Sequence, residues 1–435
     1  MSSATIKIND VSDNPLFRDP ERVLPLVREF HSPLYIFDES VIRRNCRELK
    51  AAMIYRPSNI RYACKALTIG PILAIIREEG LWIDASSINE VERARRAGFA
   101  VSEIYYTGEG ATLDVYRKLV SDGILVNCTS HDQLRLLAAA GGRECSIRIN
   151  PGKGSGSSRK ITTGGPSSKH GIYIDQLEEA KRLAAEAGIR IVGVHSHIGS
   201  GTDLQAWLDI ADVTIDVART MPDLRTVNLG GGLPVVYEAG KPPMPVEEWG
   251  RALAPKMERL SKELGRPIEL QIEPGRYVVA ACGLLVAEVQ AVKSTPADGS
   301  SDGYNFVIVN TGLNHNIRPS LYGAFHPIKF VPPQPRPEGP ARDYVVAGYL
   351  CESGDVFTVG EDGVLMPRRF PEIAVGDVMV MAGTGAYSHA MKNEYNSMNL
   401  PMSLLIDMEG EPRVIERRGT IDDIMRREVE AQNKR

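Results

Sequence analysis

The sequence is short of several things, and each shortage excludes a class of function. Its six cysteines, Cys46, Cys64, Cys128, Cys145, Cys282 and Cys351, include no CxxC pair. That gives neither a disulfide framework nor a zinc motif, and it suits a reducing, cytoplasmic compartment. No apolar run reaches membrane-spanning length, and the opening MSSATIKINDVSDN has no apolar core of a secretory signal. No strong field of one sign is present: the formal net charge is −4 over 435 residues, so nothing invites nucleic acid or an anionic membrane. No internal repeat is visible beyond an alternation of strand-like and helix-like segments.

What remains is ordinary globular material, 43% hydrophobic and 24% charged, long enough for two domains. From about residue 60 to 275, eight β-rich runs (RYACKA, LWIDASS, EIYYTG, ILVNCTS, SIRINP, IVGVHSHIGS, TVNLGGG and IELQIEPGR) mostly alternate with amphipathic helical stretches such as PILAIIREEG and INEVERARRAG. Alternation of this kind predicts parallel βα units, and eight of them close a (β/α)8 TIM barrel; an open doubly wound sheet is the competing fold. After residue 280 the texture changes to strand-like runs with turns, from LLVAEVQAVK through DVFTVG to PRVIERR, which predicts a second, mostly β domain. LYIFD at 34–38 precedes the barrel and is expected to add a strand to that domain. The expected division is therefore 39–280 for the barrel, and 1–38 with 281–435 for the β domain.

Chemistry in such a barrel sits at the C-terminal strand ends. Lys65, Asp84, Asn150, His195 with His197, Gly230–Gly232, and Glu273 with Arg276 all fall there. Each has a plain alternative. Lys65, at the end of an apolar run, could snorkel outward, and Asp84 could cap the following helix. The two histidines of HSH could face a metal, but no third ligand is evident. GGG could be a tight turn, and Glu273 could simply pair with Arg276. The glycine loops are not GxGxxG, so a Rossmann dinucleotide site is disfavoured. Taken together the parts describe one cofactor: a lysine for a Schiff base, glycine-rich loops for a phosphate, and an acid for a pyridinium nitrogen, the protein's share of pyridoxal 5′-phosphate chemistry.

At these residues the sequence resembles the fold type III pyridoxal-phosphate-dependent decarboxylases of basic amino acids, and within them the diaminopimelate branch. YACKA, HIGSG, NLGGG, EPGRY, RPSLYGA, CESGD and GAY match family segments in order, from about residue 30 to 430. The resemblance implies a barrel carrying the cofactor and an alanine-racemase-like β domain. It implies that Lys65 carries the cofactor as an internal aldimine, supported by Asp84. His197 would stack on the ring, Ser200, Gly231, Gly232 and Gly275 would hold the phosphate, and Glu273 would keep the ring nitrogen protonated. Arg276, Arg318 and Tyr322 would grip the substrate's distal carboxylate and Glu352 its distal ammonium. Tyr387 would close the pocket by the cofactor. Cys351, from a second subunit, would protonate the α-carbon, so the enzyme would be a homodimer with shared active sites.

The resemblance implies decarboxylation of meso-2,6-diaminopimelate to L-lysine. The alternatives are another or a modified amino-acid substrate, a racemase, and a non-catalytic cofactor-binding regulator. Glu273 and CESGD argue against the racemase; Lys65, Cys351 and the β domain argue against the regulator. Three segments depart from the family pattern. The loop 151–171 is Gly/Ser-rich and basic, and is expected to be a lid or a surface loop. SSINEV follows Asp84, and YNSMNLP occupies 395–401.

Overall fold

The computed structural model describes residues 9–152, 165, 168–197, 199, 204–240, 245–297 and 303–428. The chain divides into two compact units, one of Met1–Asp10 and Val41–Val279, the other of Val11–Ser40 and Ala280–Arg435. The first strand, β1 (Leu34–Asp38), belongs to the second unit.

The first unit contains β2 (Ser58–Ala63), β3 (Trp82–Ala85), β4 (Ile104–Tyr106), β5 (Leu125–Cys128) and β6 (Glu144–Asn150). They are followed by β7 (Ile172–Tyr173), β8 (Arg190–His195), β9 (Thr226–Asn228) and β10 (Glu269–Ile272). With the two-residue β7 set aside beside β6, the order β2-β3-β4-β5-β6-β8-β9-β10 returns to β2, and every pairing is parallel. This is the closed eight-stranded barrel expected from the alternation.

The strands are apolar because helices cover them outside and side chains fill them inside. The helices between them start and stop on local signals. Ser87 accepts from Glu90 N at the head of Ile88–Arg96, and Ser130 from Gln133 N at the head of His131–Ala139. Just past the first of these helices the chain turns at Gly98, in a left-handed conformation (φ 91°) that a Cβ would strain. At the N-terminus Asn9 donates to the Tyr277 carbonyl at 2.6 Å and accepts from Val236 N at 2.9 Å. These bonds tie Asn9 to the barrel unit rather than to the β unit.

The second unit contains β1, β11 (Gly283–Ser294), β12 (Asn305–Val309), β13 (Ile328–Val331) and β14 (Arg342–Ala347). It also holds β15 (Arg368–Phe370), β16 (Val378–Ala382), β17 (Met402–Ile406) and β18 (Pro412–Glu416). Strand β11 is its axis. Its first half lies between β1 and β16; past a register shift at Val289/Ala291 it pairs with β12. LYIFD thus joins this sheet, antiparallel to β11 and parallel to β17. DVFTVG, by contrast, forms no strand. It makes only two isolated bridges, Ala347–Val356 and Val359–Leu365, because the chain bends around the buried Asp355.

Candidate active site

Lys65 lies in a single 3-10 turn, Cys64–Ala66, just beyond β2. Its neighbours Cys64 and Ala66 are fully buried, but its own side chain is 47% exposed, so the burial suggested by its apolar flanks does not extend to the amine. Nζ stands 3.4 Å from Asp84 Oδ2. Asp84 is buried within β3, and it is Ser87, not Asp84, that caps the following helix.

Glu273 follows β10 directly and is buried. Its Oε1 accepts from Asn228 Nδ2 at 2.6 Å, and its Oε2 lies 3.3 Å from His195 Nε2. Asn127 Nδ2 sits 2.7 Å from His195 Nδ1. With the amide donating there, the proton of a neutral imidazole is on Nε2, facing Glu273. Burial alone would raise Glu273, but His195 beside it, and then Lys65, overcome this and hold the carboxyl below its usual range. Asp84 goes the other way: burial, and then the charge of Glu273, push it up to about 7 against the pull of Lys65. Two acids at one end of the barrel are thereby set to different protonation states near neutral pH.

The glycine run after β9 is packed, not merely flexible. A Cβ on Gly231 would sit 2.1 Å from the Glu273 carbonyl oxygen. One on Gly232 would sit 1.7 Å from that of Gly199, at a backbone φ of +95°. Gly231 N donates to His197 Nδ1 at 3.0 Å. Burial, then Arg148 and Lys65, push His197 well below its ordinary value, so it is a neutral ring. Each histidine of HSH is thus engaged by different groups, His195 by Asn127 and Glu273, His197 by Gly231. Gly275 is close-packed but less tight, its Cβ position 3.0 Å from that of Ala66, and Ala63 N donates to Pro274 O. Arg276 opens the short helix Arg276–Val279. Ser200 lies outside the described residues, as does most of the 151–171 loop.

At the base of that loop Asn150 Oδ1 accepts from Gly152 N and Gly165 N, and its Nδ2 donates to His170 O at 3.0 Å. Glu109 accepts from Thr129 Oγ1 and bonds His170 Nδ1 at 2.5 Å, with Arg148 3.5 Å away. Sequence reasoning did not find Glu109, Arg148, Asn127 or Asn228 at these strand ends.

The second unit carries the other candidates. Arg318, 7% exposed, begins the helix Arg318–Tyr322, with Nη1 3.0 Å from His326 Nε2, and Tyr322 closes that helix. Cys351 and Glu352 are exposed. Their loop is held from two sides. Asn396 Oδ1 accepts from Cys351 N at 2.8 Å, and Tyr395 Oη donates to Glu352 at 3.3 Å. Buried Asp355 accepts from Leu313 N and Leu350 N, at 2.6 and 2.9 Å. Tyr387 has φ +65°, a sparsely populated conformation for a bulky residue, of the kind found where a side chain is aimed for function.

The barrel-end groups fit pyridoxal phosphate: an accessible amine beside a buried acid, a second buried acid held ionised for a cationic ring nitrogen, and bare glycine backbone beside a neutral imidazole. A family model described as "Pyridoxal-dependent decarboxylase, pyridoxal binding domain" matches residues 39–280. The chain belongs to this family of decarboxylases, and its cofactor is pyridoxal phosphate. Among its relatives within the family are diaminopimelate decarboxylases. It is 39% identical over 419 residues to that of Streptomyces coelicolor, covering 95% of this chain and 92% of the relative. A crystal structure of a diaminopimelate decarboxylase matches with TM-score 0.88 and 35% identity, over 96% of this chain and 98% of the other. That of Helicobacter pylori, complexed with L-lysine, matches with TM-score 0.80 and 29% identity, over 92% and 98%.

Proposed function

We propose that this protein converts meso-2,6-diaminopimelate to L-lysine and CO₂, as a homodimer with shared active sites, in the cytoplasm. The observation that carries the reaction type is Glu273, a buried carboxylate held anionic at the end of β10 by Asn228 and His195. The substrate follows from the relatives, and the guanidinium of Arg318 is the group we assign to the second carboxylate. The assignment to the cytoplasm rests on the scattered cysteines, which form no CxxC pair and no disulfide framework in the sequence. No helix among the described residues is long and apolar enough to cross a membrane.

Pyridoxal phosphate, when bound, supplies an electron sink for the pair left on the α-carbon as CO₂ departs. Lys65 Nζ, beside Asp84, would be the amine that holds the cofactor. Glu273, held anionic, would favour a proton on the ring nitrogen, which a cationic partner would not do. His197 would lie against the ring, and Gly231, Gly232 and Gly275, with Ser200, would make room for and hold the phosphate. Arg276, Arg318 and Tyr322 grip the distal carboxylate, Glu352 the distal ammonium, and Tyr387 closes the pocket. Cys351 Sγ delivers the proton to the α-carbon from the second subunit.

The test is CO₂ release by purified enzyme with pyridoxal phosphate and meso-diaminopimelate, beside LL-diaminopimelate, L-lysine and L-ornithine. Release from the meso isomer alone, with L-lysine as product, is expected. No release from the meso isomer would overturn the substrate assignment.

A further inference from the structure

A polar cavity of about 480 Å³ opens at the end of the barrel opposite Lys65. Its walls include the first residues of β3, β5, β6, β9 and β10, so it lies at the N-terminal strand ends, away from Lys65 and Glu273. Its charged lining is Arg61, Arg143, Arg225, Glu144 and Glu269. Some of these charges are already spent: Arg225 and Arg190 both pair with Glu144. Three are not.

Arg61 is 4% exposed, yet among the described residues it has no carboxylate partner. It is held by Gln271 Oε1 at 3.0 Å, by the Ile83 and Glu103 carbonyls, and between the rings of Trp82 and Tyr105 at 4.9 and 4.8 Å. A guanidinium taken out of water without an anion is costly. Arg143, exposed at the mouth, likewise has no ion pair among the described residues. Glu269 has no cation within ion-pair distance there either; it accepts from Gln271 Nε2 at 2.5 Å, and Gln271, which also accepts from Arg61, bridges the two charges without joining them. Ile124, Leu137 and Val192 supply an apolar wall.

The cavity therefore offers two guanidinium groups and a carboxylate that make no direct ion pair, beside an apolar surface, in a volume suited to a small molecule. A simple anion would leave Glu269 unmatched and meet its repulsion. A simple amine would leave Arg61 and Arg143 unmatched. A molecule carrying both charges on one short skeleton matches all three.

We infer that the N-terminal mouth of the barrel is a second binding site, for a zwitterionic α-amino acid, with its carboxylate toward Arg61 and Arg143 and its ammonium toward Glu269. The site is independent of the cofactor and of the reaction proposed above.

Equilibrium dialysis of the cofactor-loaded enzyme against labelled L-lysine tests it, with the variants Arg143→Ala and Glu269→Gln. Neither side chain is deeply buried or ion-paired, so both variants should fold. Wild type is expected to bind one equivalent of lysine per chain more than either variant, with kcat for decarboxylation equal in all three. Cadaverine, which lacks the carboxylate, and acetate, which lacks the ammonium, should fail to displace that equivalent. Equal stoichiometry in wild type and both variants would overturn the site. Displacement by acetate alone would overturn the zwitterion assignment. Either result stands whether or not the meso-diaminopimelate assay succeeds.

Discussion

Asp84 and Glu273 share a barrel end but not a charge state, and the difference can be read by titration. The carboxyl of Asp84 moves from 3.8 to about 7, chiefly through burial and then through the charge of Glu273. An acid raised in the folded state keeps a proton that the unfolded chain has already lost. In that interval the native state binds more protons, so stability falls as pH rises. The cofactor-free enzyme should therefore lose stability to urea between about pH 4 and pH 7 through this residue, and Asp84→Asn should lack that component. The variant should gain on wild type steadily across the window. Parallel urea midpoints for the two proteins at all pH values would contradict the assignment. Glu273 does not behave this way, because Asn228 and His195 stabilise its ionised form.

Among the elements, the loop after β9 shows why glycine is needed there. Gly231→Ala places a methyl 2.1 Å from the Glu273 carbonyl oxygen, a contact that forces the loop away from β10. Overpacking of that kind costs about 1–3 kcal/mol, and the displaced backbone should retain the cofactor poorly. Gly70→Ala is the control: its Cβ meets nothing within 4 Å, and it lies in the first turn of a helix, where alanine is favoured. Thermal melts and cofactor absorbance after gel filtration should show a clear loss for the first and none for the second. The barrel strands were legible in the sequence because each is a short apolar, β-rich run and most have a polar, charged or glycine-rich end, a local signal. The head of the helix after β3 was misplaced: Asp84 offered itself as a cap, but Ser87 is the residue that accepts from Glu90 N. The residues that hold the site together were not legible. Asn228 meets Glu273 across 45 positions, Asn127 meets His195 across 68, and Asp355 meets Leu313 N across 42. A lone Asn or Asp carries no sign of such a partner. DVFTVG misled in the opposite sense: it has the composition of a strand and runs beside the end of β14, but the bend at Asp355 leaves it isolated bridges instead of a ladder.

At the scale of the whole molecule, the question is how Cys351 could act. It is exposed, as is Glu352 beside it, although their loop is fixed by Asn396, Tyr395 and Asp355. A thiol that must protonate one face of one carbon needs water excluded around it, and an open surface does not provide that. A rigidly held loop that leaves its reactive group uncovered is suited to being covered by a second copy of the chain. In a two-fold dimer each site would then take Lys65 from one chain and Cys351 from the other. This makes a quantitative expectation. Lys65→Ala and Cys351→Ala chains should each be nearly inactive alone. Mixed in equal amounts and allowed to exchange, half of the dimers become heterodimers, and each of these holds one site with both residues intact. Activity should recover to about a quarter of wild type. If each chain built its site from its own two residues, no arrangement of the mixture would restore an intact pair. Activity would then stay at the level of the separate variants however long exchange proceeds.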